Sequence, residues 1–159
     1  MAVAGTHGKT TTTAMLAHIL TAAGLDPTVV VGSVMKEWRS NFRYGRSRYL
    51  VAEACEFRRS FLHLSPQLLV ITNIDNDHLD YYRDLADIQS AFAELAAKVP
   101  PAGFLVCDQN NPRLASVLLA AKAAVIDYYT VTRPIKLMVP GEHNQLNAAA
   151  ALAAALTLG

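Results

Sequence analysis

The amino-acid sequence predicts an α/β fold in which a mostly parallel β-sheet is flanked by helices. Short apolar runs that suit buried strands alternate with longer stretches whose apolar residues have helical spacing. Polar residues cluster directly after several of these runs, and the carboxyl ends of parallel strands meet at one edge of a sheet. A length of 159 residues suits one domain, so we expect a single domain over residues 1–159.

The helices and strands follow in a regular order. We expect strands that end near Val3 and lie at 28–31, 49–53, 68–72, 104–107, 124–127 and 136–139, and helices at 10–23, 84–98, 111–121 and from about 141 onwards. Residues 32–48 are polar and basic with interspersed aromatic residues, which favours a surface connection.

The composition argues against two classes of partner. Fourteen basic and thirteen acidic residues give a net charge of +1, which argues against nucleic-acid binding through bulk charge. No apolar run approaches the ~20 residues of a membrane-spanning helix. No basic and apolar leader opens the sequence, so we expect a cytoplasmic protein with no membrane partner. Cys55 and Cys107 lie in or beside apolar runs and are expected to be buried free thiols.

A glycine-rich loop between the first strand and the first helix is the main candidate site. Gly5 and Gly8 allow a tight turn that points several N–H groups at one anion, and the helix start adds its positive dipole end. Lys9 supplies a cation for phosphate oxygens and Thr10 a hydroxyl for Mg²⁺. A nucleoside triphosphate site is therefore predicted, with these candidate ligand-binding residues: Gly5, Thr6, His7, Gly8, Lys9, Thr10 and Thr11. The alternative is a strand–helix turn with an N-cap threonine and a solvated lysine, since Val3 stands where the standard pattern has its first glycine.

Two further strand ends carry groups that suit a metal and a phosphate. Glu53 ends the run at 49–53, and we predict that its carboxylate faces the Mg²⁺ of the nucleotide. Glu56 is a candidate for a position next to this carboxylate, without binding the metal directly. The run at 68–72 is followed by three aspartates, two asparagines and His78. His78 is a candidate metal ligand or phosphate donor, because its imidazole can serve in either role.

The start of the last helix carries two amides on one face. Asn144 and Asn147 are three residues apart in the first turn, with His143 beside them. Helix capping explains one of these amides. Two of them together also suit hydrogen bonding to the edge of a purine, so both are candidate ligand-binding residues.

Four stretches in this order resemble the central ATP-binding domain of the Mur ligases, a P-loop NTPase-like domain. They are residues 5–11 (GTHGKTT), 53–56 (EACE), 72–80 (TNIDNDHLD) and 141–147 (GEHNQLN), and residues 60–66 (SFLHLSP) are also similar. The resemblance implies that ATP and Mg²⁺ are the cofactors. It further implies that Lys9, Glu53 and His78 are catalytic and that Thr10, Glu53 and His78 bind metal.

The resemblance also implies a reaction. ATP phosphorylates a substrate carboxylate, and an amino acid's amine attacks the acyl phosphate to form an amide of peptidoglycan synthesis. In the branch of the family that this sequence resembles most, L-alanine is joined to UDP-N-acetylmuramate. Family members carry a UDP-sugar domain before this domain and an amino-acid-binding domain after it, and neither fits within 159 residues. Isolated, the chain is therefore expected to bind Mg-ATP weakly and to form no amide.

Two other hypotheses remain open from the sequence: a stand-alone nucleotide-binding module, or a related ligase of the tripeptide-recycling or folylpolyglutamate type.

Three departures from the family pattern bear on the site. Cys55 stands where relatives have an aspartate, no lysine occurs at 84–97 for the carbamylated lysine of several relatives, and the segment at 127–140 is short. A small accessory sheet is therefore expected to be missing.

Overall fold

Seven strands form one sheet in the computed structural model, which describes residues 1–77, 80–131 and 135–159. The strands are β1 (Ala2–Ala4), β2 (Thr28–Met35), β3 (Ser40–Arg43), β4 (Leu50–Glu53), β5 (Leu68–Ile71), β6 (Phe104–Cys107) and β7 (Ala124–Asp127). The α-helices are α1 (Lys9–Ala22), α2 (Leu85–Ala97), α3 (Ala115–Ala120) and α4 (Glu142–Leu156), and short 3₁₀ segments lie at Phe57–His63, Pro112–Leu114 and Tyr128–Thr130.

The strand order is β3-β2-β4-β1-β5-β6-β7, which confirms the predicted α/β fold. All neighbouring pairs are parallel except β2 and β3, which are antiparallel. β1 lies in the centre, with Val3 paired to Glu53 of β4 and Ala4 paired to Ile71 of β5. The carboxyl ends of β4, β1 and β5 therefore lie side by side at one edge of the sheet.

Helices cover both faces of the sheet because successive strand residues point to opposite faces. Ala2 and Ala4 of β1 pack in a core with α2 and α3, whereas Val3 packs in a second core with α1 and α4. β5 and β6 are almost wholly buried, as expected of strands covered on both sides. At the start of α2, the Asp84 side chain accepts a 2.9 Å hydrogen bond from the Asp87 amide and caps the helix.

Three local predictions were wrong. Residues 32–48 are not a simple connection: β2 continues to Met35 and β3 returns antiparallel to it, with an irregular register between Val30 and Met35. Residues 136–139 form no strand, and Met138 is fully exposed. Cys107 is buried as expected, but Cys55 is exposed because it follows β4 outside the sheet. Among the described residues, no helix is both long and apolar enough to cross a membrane.

Candidate functional site

The loop at residues 5–8 connects central strand β1 to helix α1 at the carboxyl edge of the sheet. Gly5 has φ +135° and Gly8 has φ +84°, a backbone region that side chains other than glycine rarely adopt. A Cβ added to Gly8 would lie 2.3 Å from Asn147 Oδ1, so α4 approaches the loop closely at this point. The first amides of α1 have no acceptor within the helix, and they point out of its N-terminus at this loop.

Lys9 lies in the first turn of α1, and its side chain folds back over the loop. Its Nζ donates to the carbonyl oxygens of Gly5, at 2.6 Å, and Thr6, at 3.1 Å. The same ammonium pairs with Glu56 Oε1 at 3.0 Å, where the side chains are 14% and 2% exposed respectively. Tyr82 holds the backbone of Glu56 in turn, because its hydroxyl donates to the Glu56 carbonyl oxygen at 2.5 Å. Burial raises the pKa of Tyr82 to about 12, so the hydroxyl keeps its proton.

Thr10 and Glu53 meet at the same edge, as predicted. Thr10 Oγ1 donates to Glu53 Oε1 at 3.0 Å, and the other carboxylate oxygen accepts from the Gly32 amide at 2.6 Å. A hydroxyl and a carboxylate at this separation fit Mg²⁺, which prefers oxygen ligands and retains several waters. Among the described residues no group of three or more His, Cys, Asp and Glu side chains could hold a metal. Proteins commonly hold Mg²⁺ by one or two side-chain oxygens together with phosphate oxygens and water, so these two side chains could hold it beside a bound nucleotide.

The segment that follows β5 packs against the loop through several hydrogen bonds. The Thr6 amide donates to Asn73 O at 3.0 Å, and the His7 amide donates to Asn73 Oδ1 at 2.9 Å. The Asp75 amide donates to Thr6 Oγ1 at 2.8 Å. The pKa of the Asp75 carboxyl lies below its usual range, because the carboxylate accepts a hydrogen bond from the Asn76 amide. The Arg113 guanidinium, 2.7 Å away, lowers this pKa further by a smaller amount. Asp75 therefore stays charged and paired beside the loop.

A cavity of about 390 Å³ opens between the loop and α4. Asn144 and Asn147 both line it, as the purine prediction requires, and Asn147 is almost buried. Asn144 does not cap α4: its Nδ2 donates to Pro140 O at 2.7 Å, which ties the first turn of the helix to the chain before it. The remaining lining residues come from the loop, α1, the ends of β5 and β6, the segment after β7, and α4: His7, Gly8, Thr11, Thr72, Asn73, Asp108, Asn111, Tyr128, Tyr129, His143, Leu146 and Ala150.

Some of these residues were missed from the sequence. Asp108 and Asn111 follow β6 just as the polar cluster follows β5, so the same strand-end rule could have identified them. Tyr128 lies in the cavity wall, and its hydroxyl donates to Thr72 O at 2.9 Å. Burial raises the pKa of Tyr128, so the hydroxyl remains a donor. No local pattern indicated this contact, since the two residues are 56 positions apart.

The structure thus brings together the loop, Lys9, Thr10, Glu53 and, through the cavity, the two amides of α4. His78 lies outside the described residues, so its role as metal ligand stays a prediction. A chemically coherent arrangement results: amides and an ammonium that suit phosphate oxygens, a hydroxyl–carboxylate pair that suits a divalent cation, and an adjoining cavity with amide side chains.

A family model, curated proteins and solved structures all match this chain. Residues 3–134 match the family model described as the Mur ligase middle domain. The UDP-N-acetylmuramate–L-alanine ligase of Acidobacterium capsulatum is 46% identical over an alignment that covers 99% of this chain and 41% of the relative. The chain therefore spans about two fifths of the length of the curated relatives that it matches.

Two solved structures are similar over the whole chain. The UDP-N-acetylmuramate:L-alanyl-gamma-D-glutamyl-meso-diaminopimelate ligase from Neisseria meningitides has a TM-score of 0.88 and 31% identity, and the match covers 100% of this chain and 61% of that one. UDP-N-acetylmuramate-alanine ligase MurC from Thermotoga maritima has a TM-score of 0.79 and 32% identity, covering 100% of this chain and 41% of that one.

Proposed function

Because the chain belongs to the Mur ligase family, we propose that it is the ATP-binding domain of an amide-forming ligase of peptidoglycan precursor synthesis. The observation that carries this proposal is the convergence of Lys9 and Thr10 with Glu53 at the glycine loop. The L-alanine ligase name of relatives at 38–46% identity supports L-alanine and UDP-N-acetylmuramate as substrates of the whole enzyme.

The proposed reaction has two steps. An oxygen of the substrate carboxylate attacks the γ-phosphorus of ATP, the bond to the β-phosphate oxygen breaks, and ADP leaves. The amine of the amino acid then attacks the acyl carbon, phosphate leaves with the bonding electrons, and the nitrogen loses a proton. The first step is necessary because a carboxylate has no good leaving group.

The residues of this chain contribute by positioning and by charge. Lys9 would neutralise β- and γ-phosphate oxygens as negative charge shifts toward the leaving ADP. Thr10 and Glu53 would hold Mg²⁺, which when bound screens the phosphate charges and favours attack by another anion. The amides of Asn144 and Asn147 would hold the purine, which fixes the direction of the triphosphate across the loop. His78 is proposed as a ligand of a second Mg²⁺ near the γ-phosphate.

The complete reaction requires further domains under this proposal. One domain would bind the UDP-sugar and another the incoming amino acid, as the two-fifths coverage of the relatives supports. We expect the isolated chain to bind Mg-ATP weakly and to form no amide when UDP-N-acetylmuramate and L-alanine are added. Robust amide formation by this chain alone would contradict the need for other domains.

The similarity to the Neisseria ligase supports a second substrate assignment, in which a tripeptide replaces L-alanine. Two chimaeras test the two assignments: one joins this chain to the remaining parts of the Acidobacterium capsulatum relative, and the other joins it to the remaining parts of the Neisseria ligase. The amino-acid site comes from the partner domains in both, so the rates compare how well this chain works with each set. Faster phosphate release in the first chimaera with L-alanine supports the main assignment, and faster release in the second with the tripeptide supports the second assignment.

Nucleotide binding itself is tested by calorimetric titration of the chain with ATP and GTP, with and without Mg²⁺. The proposal predicts saturable binding of ATP that Mg²⁺ strengthens and weaker binding of GTP, because the amides of α4 suit the adenine edge. Absence of ATP binding at millimolar nucleotide would refute the proposed function.

A further inference from the structure

The side chain of Asn73 forms hydrogen bonds with both backbone polar groups of one residue of the glycine loop. Its Oδ1 accepts from the His7 amide at 2.9 Å, and its Nδ2 donates to the His7 carbonyl at 3.0 Å. Thr72 Oγ1 donates to the same carbonyl at 2.6 Å. His7 is thus held at both its backbone groups by side chains from the end of β5, 65 and 66 residues away.

These bonds determine the direction of a neighbouring amide. The peptide bond between His7 and Gly8 is trans, so its C=O and N–H point in opposite directions. With the carbonyl drawn toward Asn73 and Thr72, the Gly8 amide faces away from β5. This amide belongs to the turn that opens α1, where N–H groups lack acceptors within the helix.

The loop needs such a restraint because both residues that shape it are glycines. Gly5 and Gly8 have no Cβ to limit their backbone conformations, so an unrestrained loop would sample many of them. The preceding residue is held by the same segment, since the Thr6 amide donates to Asn73 O at 3.0 Å. Ordering the loop before the ligand arrives removes an entropic cost from binding.

We propose that Asn73, with Thr72, is a positioning residue that holds the glycine loop in its phosphate-binding conformation. The inference rests on the proposed function, because it assumes that the loop binds a triphosphate. Asn73 lines the cavity beside the loop, but both polar atoms of its amide are bonded to the backbone of His7 and are not offered to a ligand. It acts through the backbone of His7 and the direction of the Gly8 amide.

The test compares ATP with AMP, which lacks the β- and γ-phosphates, in competition with a fluorescent ATP analogue. Asn73→Ala removes both contacts of the amide, and Asn73→Asp keeps the acceptor but places a second oxygen beside the His7 carbonyl. Thr72→Val removes the third contact while keeping side-chain shape. Asn110→Ala is the matched control, since this exposed amide at the end of β6 contacts Asp127 and not the loop.

The inference predicts that both Asn73 variants weaken ATP binding about tenfold or more, the order expected when two hydrogen bonds are lost. AMP binding should change by less than about twofold, and Asn110→Ala should bind both ligands like the wild type. If Asn73→Ala does not fold, Asn73→Asp and Thr72→Val carry the same comparison.

Any other result contradicts the inference, and the pattern of binding shows whether the proposed function fails with it. Unchanged ATP binding in the Asn73 variants removes their positioning role but leaves the proposed function intact. Equal weakening of ATP and AMP indicates a general structural effect and also overturns the role. A wild-type chain that binds no ATP refutes the proposed function and the inference together.

Discussion

Thr10 Oγ1 donates a 3.0 Å hydrogen bond to Glu53 Oε1, although the two residues are 43 positions apart in the sequence. The contact exists because β1 and β4 are parallel neighbours, so the helix that follows β1 begins where β4 ends. The second Glu53 oxygen accepts from the Gly32 amide of β2. A carboxylate fixed at both oxygens beside a helix N-terminus is an ordered partner for a cation.

Glu53→Gln should reduce the effect of Mg²⁺ on nucleotide binding. The amide preserves the size of the side chain but removes the negative charge that Mg²⁺ requires. We expect the ratio of ATP affinities with and without Mg²⁺ to fall about tenfold, measured by calorimetry. Glu37→Gln is the control, because Glu37 is an exposed acid at the turn between β2 and β3. An unchanged Mg²⁺ effect in Glu53→Gln would remove this carboxylate from the metal site.

Lys9→Met should lower both ATP affinity and the free energy of unfolding. The buried Glu56 carboxylate would lose its cation, and breaking a buried ion pair from one side costs about 3 kcal/mol. The double variant Lys9→Met/Glu56→Gln should recover part of the stability, because the unpaired Glu56 charge is removed. It should not recover ATP binding, because the Lys9 ammonium remains absent. Urea denaturation measures the first effect, and Lys36→Met, at an exposed lysine, is the control. A single variant as stable as the double would show that the unpaired Glu56 carboxylate costs little stability.

Gly8→Ala and Gly24→Ala form a matched pair that isolates the approach of α4 to the loop. The two glycines have nearly equal φ angles of +84° and +80°, so backbone strain of about 1 kcal/mol applies to both. An added Cβ at Gly24 meets open space among the described residues, whereas at Gly8 it would lie 2.3 Å from Asn147 Oδ1. We expect a larger loss of thermal stability, and loss of ATP binding, in Gly8→Ala alone. Equal effects of the two substitutions would contradict the close approach.

Because of Asp87, the stability of the protein should fall as the pH is lowered in the acid range. The Arg83 amide and the Arg59 guanidinium, 2.6 Å away, hold the pKa of the Asp87 carboxyl below its usual range. A lowered pKa stabilises the fold above the unfolded-state pKa and loses this effect as the pH falls through the folded-state value. Wild type should therefore exceed Asp87→Asn in urea midpoint at about pH 7, and the difference should shrink below about pH 4. A difference that does not vary with pH would contradict this assignment.

The parts of the site that share a local signal could be predicted from the sequence. Gly5, Gly8, Lys9 and Thr10 lie in one short segment, and Glu53 ends a recognisable apolar strand. The contacts of Asn73 with His7 could not be predicted, because pairing across the sheet brings the two together and no local pattern records it. The pairing of Glu56 with Lys9 could not be predicted either; the sequence placed Glu56 next to the metal carboxylate Glu53, whereas the structure pairs it with the loop lysine.

The errors in the fold arose where short apolar or polar runs carry little information. Residues 136–139 have the composition of a strand but are mostly exposed and have no sheet pairing, because hydrophobicity over four residues does not require burial. β3 is an edge strand and is only partly buried, so its polar sequence shows no alternating pattern that would have predicted the hairpin with β2. Strands β5 and β6 are also only four residues long, but all of their residues are apolar, and both were found with nearly correct ends.

A crystal structure of this chain with a non-hydrolysable ATP analogue and Mn²⁺, whose anomalous signal locates the metal, would show the nucleotide and the ion at the glycine loop. We expect the triphosphate at residues 5–10 with Lys9 on its β- and γ-phosphates, and a Mn²⁺ peak beside Thr10 Oγ1 and Glu53. A triphosphate bound elsewhere, or a metal far from both of these side chains, would contradict this prediction.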